Sequence, residues 1–214
     1  MAAINALRLS FPDAEMNGCY FHFGQNVWRR LQANGKATLY TENEQFADKV
    51  KQLMALAFVP VPDVIAVFEQ LMTNDDFLDL DFLLDYFEEN YIGRPRRGRR
   101  VVPRFPVALW NQFERVRAKL PRSNNYTESW HNAFNGTVNI AHPSVARLAR
   151  KLQQEQHATM ILRAQHATGQ PPAKKRKKYI RINEALTTMV DAYDRTDAIT
   201  YLKNIARVLN INVI

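Results

Sequence analysis

Apolar residues recur along most of the chain at the 3.6-residue spacing of amphipathic helices. This spacing predicts helices whose apolar positions are Phe46, Val50, Leu53 and Ala57; Val64, Val67, Phe68 and Leu71; Phe82, Tyr86 and Phe87; Trp110, Phe113 and Leu120; Val145, Leu148, Leu152 and Met160; and Ile199, Leu202, Ala206 and Leu209. Breakers follow several of these segments, so we expect Pro60, Pro121 and Gly169 to close them. Thr196 is a candidate N-cap for the last helix.

Evidence for strands is confined to short stretches. Residues Gly18–Phe23 are aromatic and compact and predict one strand, while Val101–Val102 and Ile211–Ile214 are two further candidates. A single strand needs partners for its backbone groups. The sequence therefore predicts a mainly α protein with at most one or two residual strands. The alternative is that the rest of a sheet is missing from this sequence.

The charge balance adds a candidate partner. The 214 residues include 29 Lys and Arg against 21 Asp and Glu, which gives a formal net charge of +8. A basic surface of this kind suits a polyanion such as DNA. Cys19 is the only cysteine, which excludes an intramolecular disulfide and a four-cysteine zinc site. No apolar run is long enough to cross a bilayer, so we expect no membrane partner.

The positive charge is concentrated in two segments, and the first follows a long acidic stretch. Between Lys51 and Arg94 there is no Lys or Arg, while Asp and Glu accumulate. The arginines that follow stand among Gly and Pro and predict an exposed loop: Arg94, Arg96, Arg97, Arg99, Arg100 and Arg104. One interpretation is that they contact DNA phosphates. The alternative is that they neutralise the acidic stretch.

The second basic segment follows Gly169 and the Pro171–Pro172 pair. It also predicts an exposed loop and consists of Lys174, Lys175, Arg176, Lys177 and Lys178. Such a run binds nucleic acid without sequence preference and resembles a nuclear localisation signal. We therefore expect the protein in the nucleus.

One carboxylate stands in a polar context that suits chemistry. Ser123, Asn124 or Asn125 predicts a helix N-cap, which places Glu128 near the first turn. Helical spacing puts polar side chains on the Glu128 face and leaves Trp130, Ala133 and Phe134 to pack on the other; the polar ones are His131, Asn132 and Asn135. Glu128 is a candidate ligand for a hard divalent cation. The alternative is a carboxylate that stabilises the helix N-terminus.

Cys19 and His22 form a C-x-x-H pair. One interpretation is that the two side chains bind zinc. Because zinc needs four ligands and the other histidines show no finger-like spacing, the alternative is a buried thiol with a structural histidine.

The chain contains no glycine-rich phosphate loop and no G-x-S-x-G elbow. Most familiar enzyme classes are left without support.

Several segments in a fixed order resemble the transposase domain of Mutator-like elements (MULEs). The resemblance extends from the first residues to about Gly169 and is carried by Gly18–His22 with Gln25 and Arg29, Leu56–Pro60, Asn90–Gly93, Pro103–Pro106, Leu109–Asn111, Asn124–Asn132 and His142–Pro143. It implies an RNase H-like core in which two Asp and one Glu hold Mg²⁺ or Mn²⁺ for strand cleavage and transfer. Glu128 matches the third acid, Cys19 and His22 match a C-x-x-H signature, and Asn124 and Asn132 belong to the motif around Glu128.

The resemblance also implies a division of the chain. We expect a remnant of the RNase H-like core that carries the C-x-x-H signature, a helical insertion, returning core helices with Glu128, a basic Pro/Lys-rich linker and C-terminal helices. Their respective bounds are 1–40, 41–120, 121–168, 169–180 and 181–214.

The two upstream Asp residues of the family have no match in this sequence. The second would lie just before the helix that here begins with Met1, so the chain resembles the C-terminal part of a transposase. Because two-metal chemistry needs bridging carboxylates, we expect no activity from this polypeptide alone and no tightly bound metal. The alternative is a non-catalytic nuclear protein derived from a transposase that binds DNA or a protein partner, with a homo-oligomer possible.

Overall fold

The structure, a computed structural model, describes residues 2–140, 142–171 and 177–209, with side chains from residue 6 onwards. It is mainly helical, as the hydrophobic pattern predicts. The α-helices of these residues are α1 (Ala2–Ser10), α2 (Tyr20–Ala33), α3 (Ala37–Glu42), α4 (Glu44–Ala55), α5 (Val64–Met72), α6 (Asp81–Phe87), α7 (Val107–Trp110), α8 (Phe113–Arg117), α9 (Asn125–Val138), α10 (Val145–Ala167), α11 (Lys177–Asp191) and α12 (Ala198–Val208).

Shorter elements connect these helices. 3₁₀ turns cover Leu56–Phe58, Asp75–Leu80 and Arg195–Asp197, and a π-helical turn, Glu88–Ile92, continues α6. The described residues contain one antiparallel pair of strands, β1 (Pro95–Arg96) and β2 (Arg99–Arg100). Helices α4, α5, α6, α10 and α12 confirm the elements that the spacing predicts.

The predicted strand at Gly18–Phe23 is wrong. Cys19 is the N-cap residue of α2, and the chain is helical from Tyr20 onwards. Phe23, Val27 and Leu31 are buried on one face of this helix. Their spacing of four residues is helical, so burial of this stripe outweighs the β preference of the aromatic residues.

The other strand candidates also differ from the structure. The strands lie at Pro95–Arg96 and Arg99–Arg100, one residue before Val101–Val102. Val101 extends the pairing only through its N–H, which donates to the Arg94 carbonyl at 3.0 Å. Ile211–Ile214 lies outside the described residues.

The helix predicted between Trp110 and Leu120 is interrupted. It divides into α7 and α8 at Asn111 and Gln112, both of which are buried. Gln112 is the N-cap residue of α8, and the Asn111 side-chain oxygen accepts the N–H of Phe113, the first residue of α8, at 2.9 Å. The last helix also starts differently from the prediction, because Asp197, not Thr196, takes the N-cap position of α12. The Asp194 carboxylate caps the 3₁₀ turn before it and accepts the Thr196 N–H at 2.8 Å.

The chain divides into two compact units. The first contains the described residues up to Ser123 and from Ile180, and the second contains Asn124–Tyr179. In the first unit α12 packs against α4 and α5, and α2 packs against α3 and α6. Aromatic rings fill the centre of this unit, where Phe23 stacks on Trp110 at 5.4 Å and meets Phe87 and Tyr91 edge to face.

The Leu56–Val59 segment runs fully buried through the first unit and is not part of an α-helix. Its carbonyls accept hydrogen bonds from residues that are distant in sequence. The Ala57 carbonyl accepts the Gln112 N–H at 2.6 Å, the Phe58 carbonyl accepts the Tyr201 hydroxyl, and the Val59 carbonyl accepts the Asn111 amide at 2.7 Å. Buried carbonyls without partners would cost stability. These bonds therefore allow an irregular segment to cross the core.

The second unit contains α9, α10 and the start of α11. In α9 the side chains of Phe134 and Val138 are buried, and Trp130 stacks on Phe134 with 5.1 Å between ring centroids. Ala133, which the sequence pattern places with them, is exposed. Helix α10 has 23 residues and no buried side chain. In the described part of the chain, no helix is long and apolar enough to span a membrane.

Candidate nucleic-acid interface

The first arginine segment folds as a hairpin. We use the name arginine hairpin for residues 94–104, in which Pro95 pairs with Arg100 and Arg96 with Arg99. The two turn residues, Arg97 and Gly98, have φ angles of 51° and 76°. Positive φ at both central residues is the pattern of type I′ turns, which match the twist of two-stranded ribbons.

Arg100 anchors the hairpin to the first unit. Its guanidinium donates to Glu69 Oε1 at 2.7 Å, to Glu88 Oε1 at 2.8 Å and to the Gly93 carbonyl at 2.6 Å. The Arg100 side chain is 18% exposed and that of Glu88 10%. Burial lowers the pKa of Arg100, but hydrogen bonds and charge from Glu69 and Glu88 outweigh it and raise the pKa above its ordinary value. Arg100 therefore neutralises acidic residues, as the alternative interpretation of the segment proposes.

Gly93 allows this anchoring. It has a φ of 93°, and a Cβ at this position would lie 1.9 Å from the Val101 carbonyl oxygen. Only glycine combines this backbone conformation with such a close approach. Gly93, directly before the hairpin, and Arg100, in its second strand, thus both fix the hairpin to the first unit.

The remaining arginines of the hairpin face solvent. Arg94 has a weak ion pair with Glu89 at 3.5 Å, in which both side chains are exposed. The guanidinium of Arg104 lies over the Phe105 ring, 5.4 Å from its centroid. The exposed members of the set are Arg94, Arg96, Arg97, Arg99 and Arg104. An exposed arginine ribbon on a fixed base presents several guanidinium groups, and each can form paired hydrogen bonds to phosphate oxygens.

Most motifs that carry the MULE resemblance lie in the core and hold it together. The Trp110 indole N–H lies within hydrogen-bonding distance of the Tyr91 and Phe105 carbonyls, at 3.3 and 3.1 Å. The Gln112 amide donates to the Gly18 carbonyl at 3.2 Å, next to Cys19. The motif residues Gly18, Tyr91, Phe105 and Trp110 therefore take part in bonds that position the chain.

Glu128 lies in the first turn of α9, as the sequence predicts. Asn124 takes the N-cap position, and its carbonyl accepts the Glu128 N–H at 3.0 Å. The Glu128 side chain is half-buried, while Asn132 and His131 on the same helix are exposed. Among the residues that the structure describes, no group of three or more His, Cys, Asp and Glu is placed to hold a metal ion.

Cys19 and His22 lie at the N-terminus of α2. Cys19 is half-buried, His22 is exposed, and the His22 ring contacts Phe21 with 5.8 Å between centroids.

The second basic segment is only partly described: Lys177 and Lys178 are exposed and belong to α11 and not to a loop. Lys174, Lys175 and Arg176 lie outside the described residues.

The sequence analysis did not predict a group of polar residues in the first unit that the fold brings together. Arg122 is half-buried and donates to the Asn183 side-chain oxygen at 2.8 Å, and Arg115 donates to the Pro121 carbonyl at 2.6 Å. We call Arg115, Arg122 and Asn183 the Arg122 cluster. Arg122 directly precedes Ser123, the first of the candidate N-cap residues, but the sequence contains no signal that Asn183 would reach it.

We compared the chain with protein-family models, with curated proteins and with solved structures, and found no match. The resemblance to MULE transposases therefore remains a prediction from the sequence.

Proposed function

We propose that this chain binds DNA through the arginine hairpin, as part of a transposon-derived protein of the MULE transposase type. The observation that carries the proposal is the set of exposed arginines on a ribbon whose base is fixed by Arg100 and Gly93. Arginine forks form bidentate bonds to phosphate oxygens, and a fixed base reduces the entropy lost on binding. The net charge of +8 adds long-range attraction to a polyanion.

Binding to a DNA duplex tests this proposal. We expect fluorescence anisotropy with the full chain to give an affinity that falls steeply between about 50 and 200 mM salt, since phosphate contacts release counterions. The triple variant Arg96→Gln, Arg97→Asn, Arg99→Gln should bind about tenfold more weakly or worse, with a salt slope lower by about 3.

A matched variant removes the same charge elsewhere. Arg150, Arg163 and Lys203 are exposed on helices α10 and α12, and replacing all three by Gln lowers the net charge equally. This control should bind nearly as tightly as the unmodified chain. Equal losses in both triple variants would mean that only net charge matters, and would contradict a hairpin interface.

We further propose that the chain alone does not cleave DNA, since the resemblance assigns it Glu128 without the two Asp residues that complete the family's metal site. Purified protein with Mg²⁺ or Mn²⁺ should leave supercoiled plasmid intact, and Glu128→Gln should bind DNA unchanged. Metal-dependent nicking that Glu128→Gln abolishes would overturn this part and assign Glu128 to a working active site.

A further inference from the structure

The Arg122 cluster contains two guanidinium groups whose hydrogen-bond partners in the first unit are neutral. Arg122 donates to the Asn183 amide oxygen at 2.8 Å, and its guanidinium lies 5.9 Å from the centroid of the Phe58 ring. Arg115 donates through Nε and Nη2 to the Pro121 carbonyl, the peptide group just before Arg122. Arg115 therefore contacts the backbone of the residue that directly precedes Arg122.

Three arginines of this unit show what carboxylate partners look like. Arg100 pairs with Glu69 and Glu88, Arg117 with Glu114 and Asp191, and Arg195 with Asp63. Within the described residues of the first unit, no carboxylate forms an ion pair with Arg115 or Arg122. Arg115 and Arg122 therefore differ from these three arginines, because their hydrogen-bond partners within the first unit are neutral.

Burial makes neutral partners unfavourable for the charged form of Arg122. Burial lowers the pKa of the Arg122 guanidinium, because the lost hydration is not fully replaced. The Tyr20 N–H donates to the Arg122 carbonyl at 2.8 Å, and the Tyr20 hydroxyl is buried without a hydrogen-bond partner in the described residues. A half-buried cation with neutral partners is stabilised when an anion completes its coordination.

We propose that Arg122 and Arg115, together with the Asn183 amide, form a binding site for a phosphate group. The two guanidinium groups supply positive charge, and N–H donors on their remaining edges suit phosphate oxygens. Asn183 is exposed and gives its oxygen to Arg122, so its NH₂ group is left on the other side of the amide as a further donor. The ligand is either a backbone phosphate of DNA, which rests on the proposed function, or a free phosphate ion.

Thermal unfolding in sodium phosphate tests the site without DNA. We expect phosphate at about ten times its Kd to raise the Tm of the full chain by about 3–5 °C above sodium chloride of equal ionic strength. Arg122→Met should lose this rise, since Met keeps the apolar stem but removes the charge. Arg117→Met, which removes a carboxylate-paired arginine nearby, should keep it. An equal Tm in phosphate and chloride would overturn the site.

DNA binding then identifies the source of the phosphate. If the site takes a DNA phosphate, Arg122→Met should weaken duplex binding and lower the salt slope by about 1. If only the phosphate-induced rise in Tm is lost, the ligand is free phosphate, and the site is supported without a DNA role. The triple hairpin variant should keep the rise in Tm that phosphate produces. Loss of DNA binding at the hairpin and absence of the phosphate site can therefore be told apart, because the first changes duplex binding and the second changes the Tm in phosphate.

Discussion

The arginine hairpin and the Arg122 cluster use half-buried arginine in opposite ways. Arg100 is surrounded by two carboxylates and a carbonyl, and the net effect raises its pKa. Arg122 has an amide and an aromatic ring as partners, and burial lowers its pKa. A buried cation with carboxylates is a structural element, whereas one with neutral partners retains the capacity to bind an anion. Arg100 therefore holds the fold, whereas Arg122 is an arginine that we propose binds a ligand.

The largest effect we expect comes from breaking the base of the hairpin at Gly93. Gly93→Ala places a Cβ 1.9 Å from the Val101 carbonyl oxygen, at a φ of 93°. The backbone must shift and the Arg100 contact to the Gly93 carbonyl must change. We expect a loss of about 3 kcal/mol or more in the free energy of unfolding by urea denaturation. Gly98→Ala, where a Cβ meets no atom within 4 Å, is the control and should cost less.

Removal of the Arg100 charge tests its structural role. Arg100→Met leaves Glu88 buried without its cation, and we expect a loss of about 2–3 kcal/mol in the free energy of unfolding. Arg94→Met removes an exposed arginine from the same hairpin and should change stability by less than about 0.5 kcal/mol. Equal effects in the two variants would contradict the distinction between them.

The same substitution at Arg122 should have the opposite sign. In buffer without phosphate, Arg122→Met removes a partly desolvated cation, and we expect no change or a gain of up to about 1 kcal/mol in the free energy of unfolding. Urea denaturation of both Met variants side by side makes the comparison direct. A loss at Arg122 as large as that at Arg100 would show that its contacts to Asn183 and Phe58 are structural.

The smallest effect on stability is expected at the hairpin tip. Arg97 has a positive φ of 51°, which asparagine adopts more readily than arginine. Arg97→Asn should therefore raise the free energy of unfolding by about 0.5 kcal/mol or leave it unchanged. Duplex binding measured on the same sample should weaken, because one exposed cation is lost. Weaker DNA binding accompanied by a clear loss of stability would assign Arg97 to the fold.

Local sequence was sufficient where burial follows a simple period. Helix α5 lies where Val64, Val67 and Leu71 predict it, because a stripe of apolar residues needs only a core to pack against. The prediction failed at Gly18–Phe23, where a window of six residues hid the helical stripe that continues to Val27 and Leu31. A longer window contains the signal, because the apolar period becomes visible only over several turns.

The chain itself therefore determined a mainly helical fold and two basic segments, since periodicity and charge are properties of consecutive residues. Tertiary structure decided which arginine has which role. Arg99 and Arg100 are neighbours, yet only Arg100 reaches Glu69 on α5 and Glu88 in the π-helical turn. Likewise Asn183 reaches Arg122 across 61 positions of sequence. The charge of a side chain is local, but the partners that compensate it are brought together only when the chain folds.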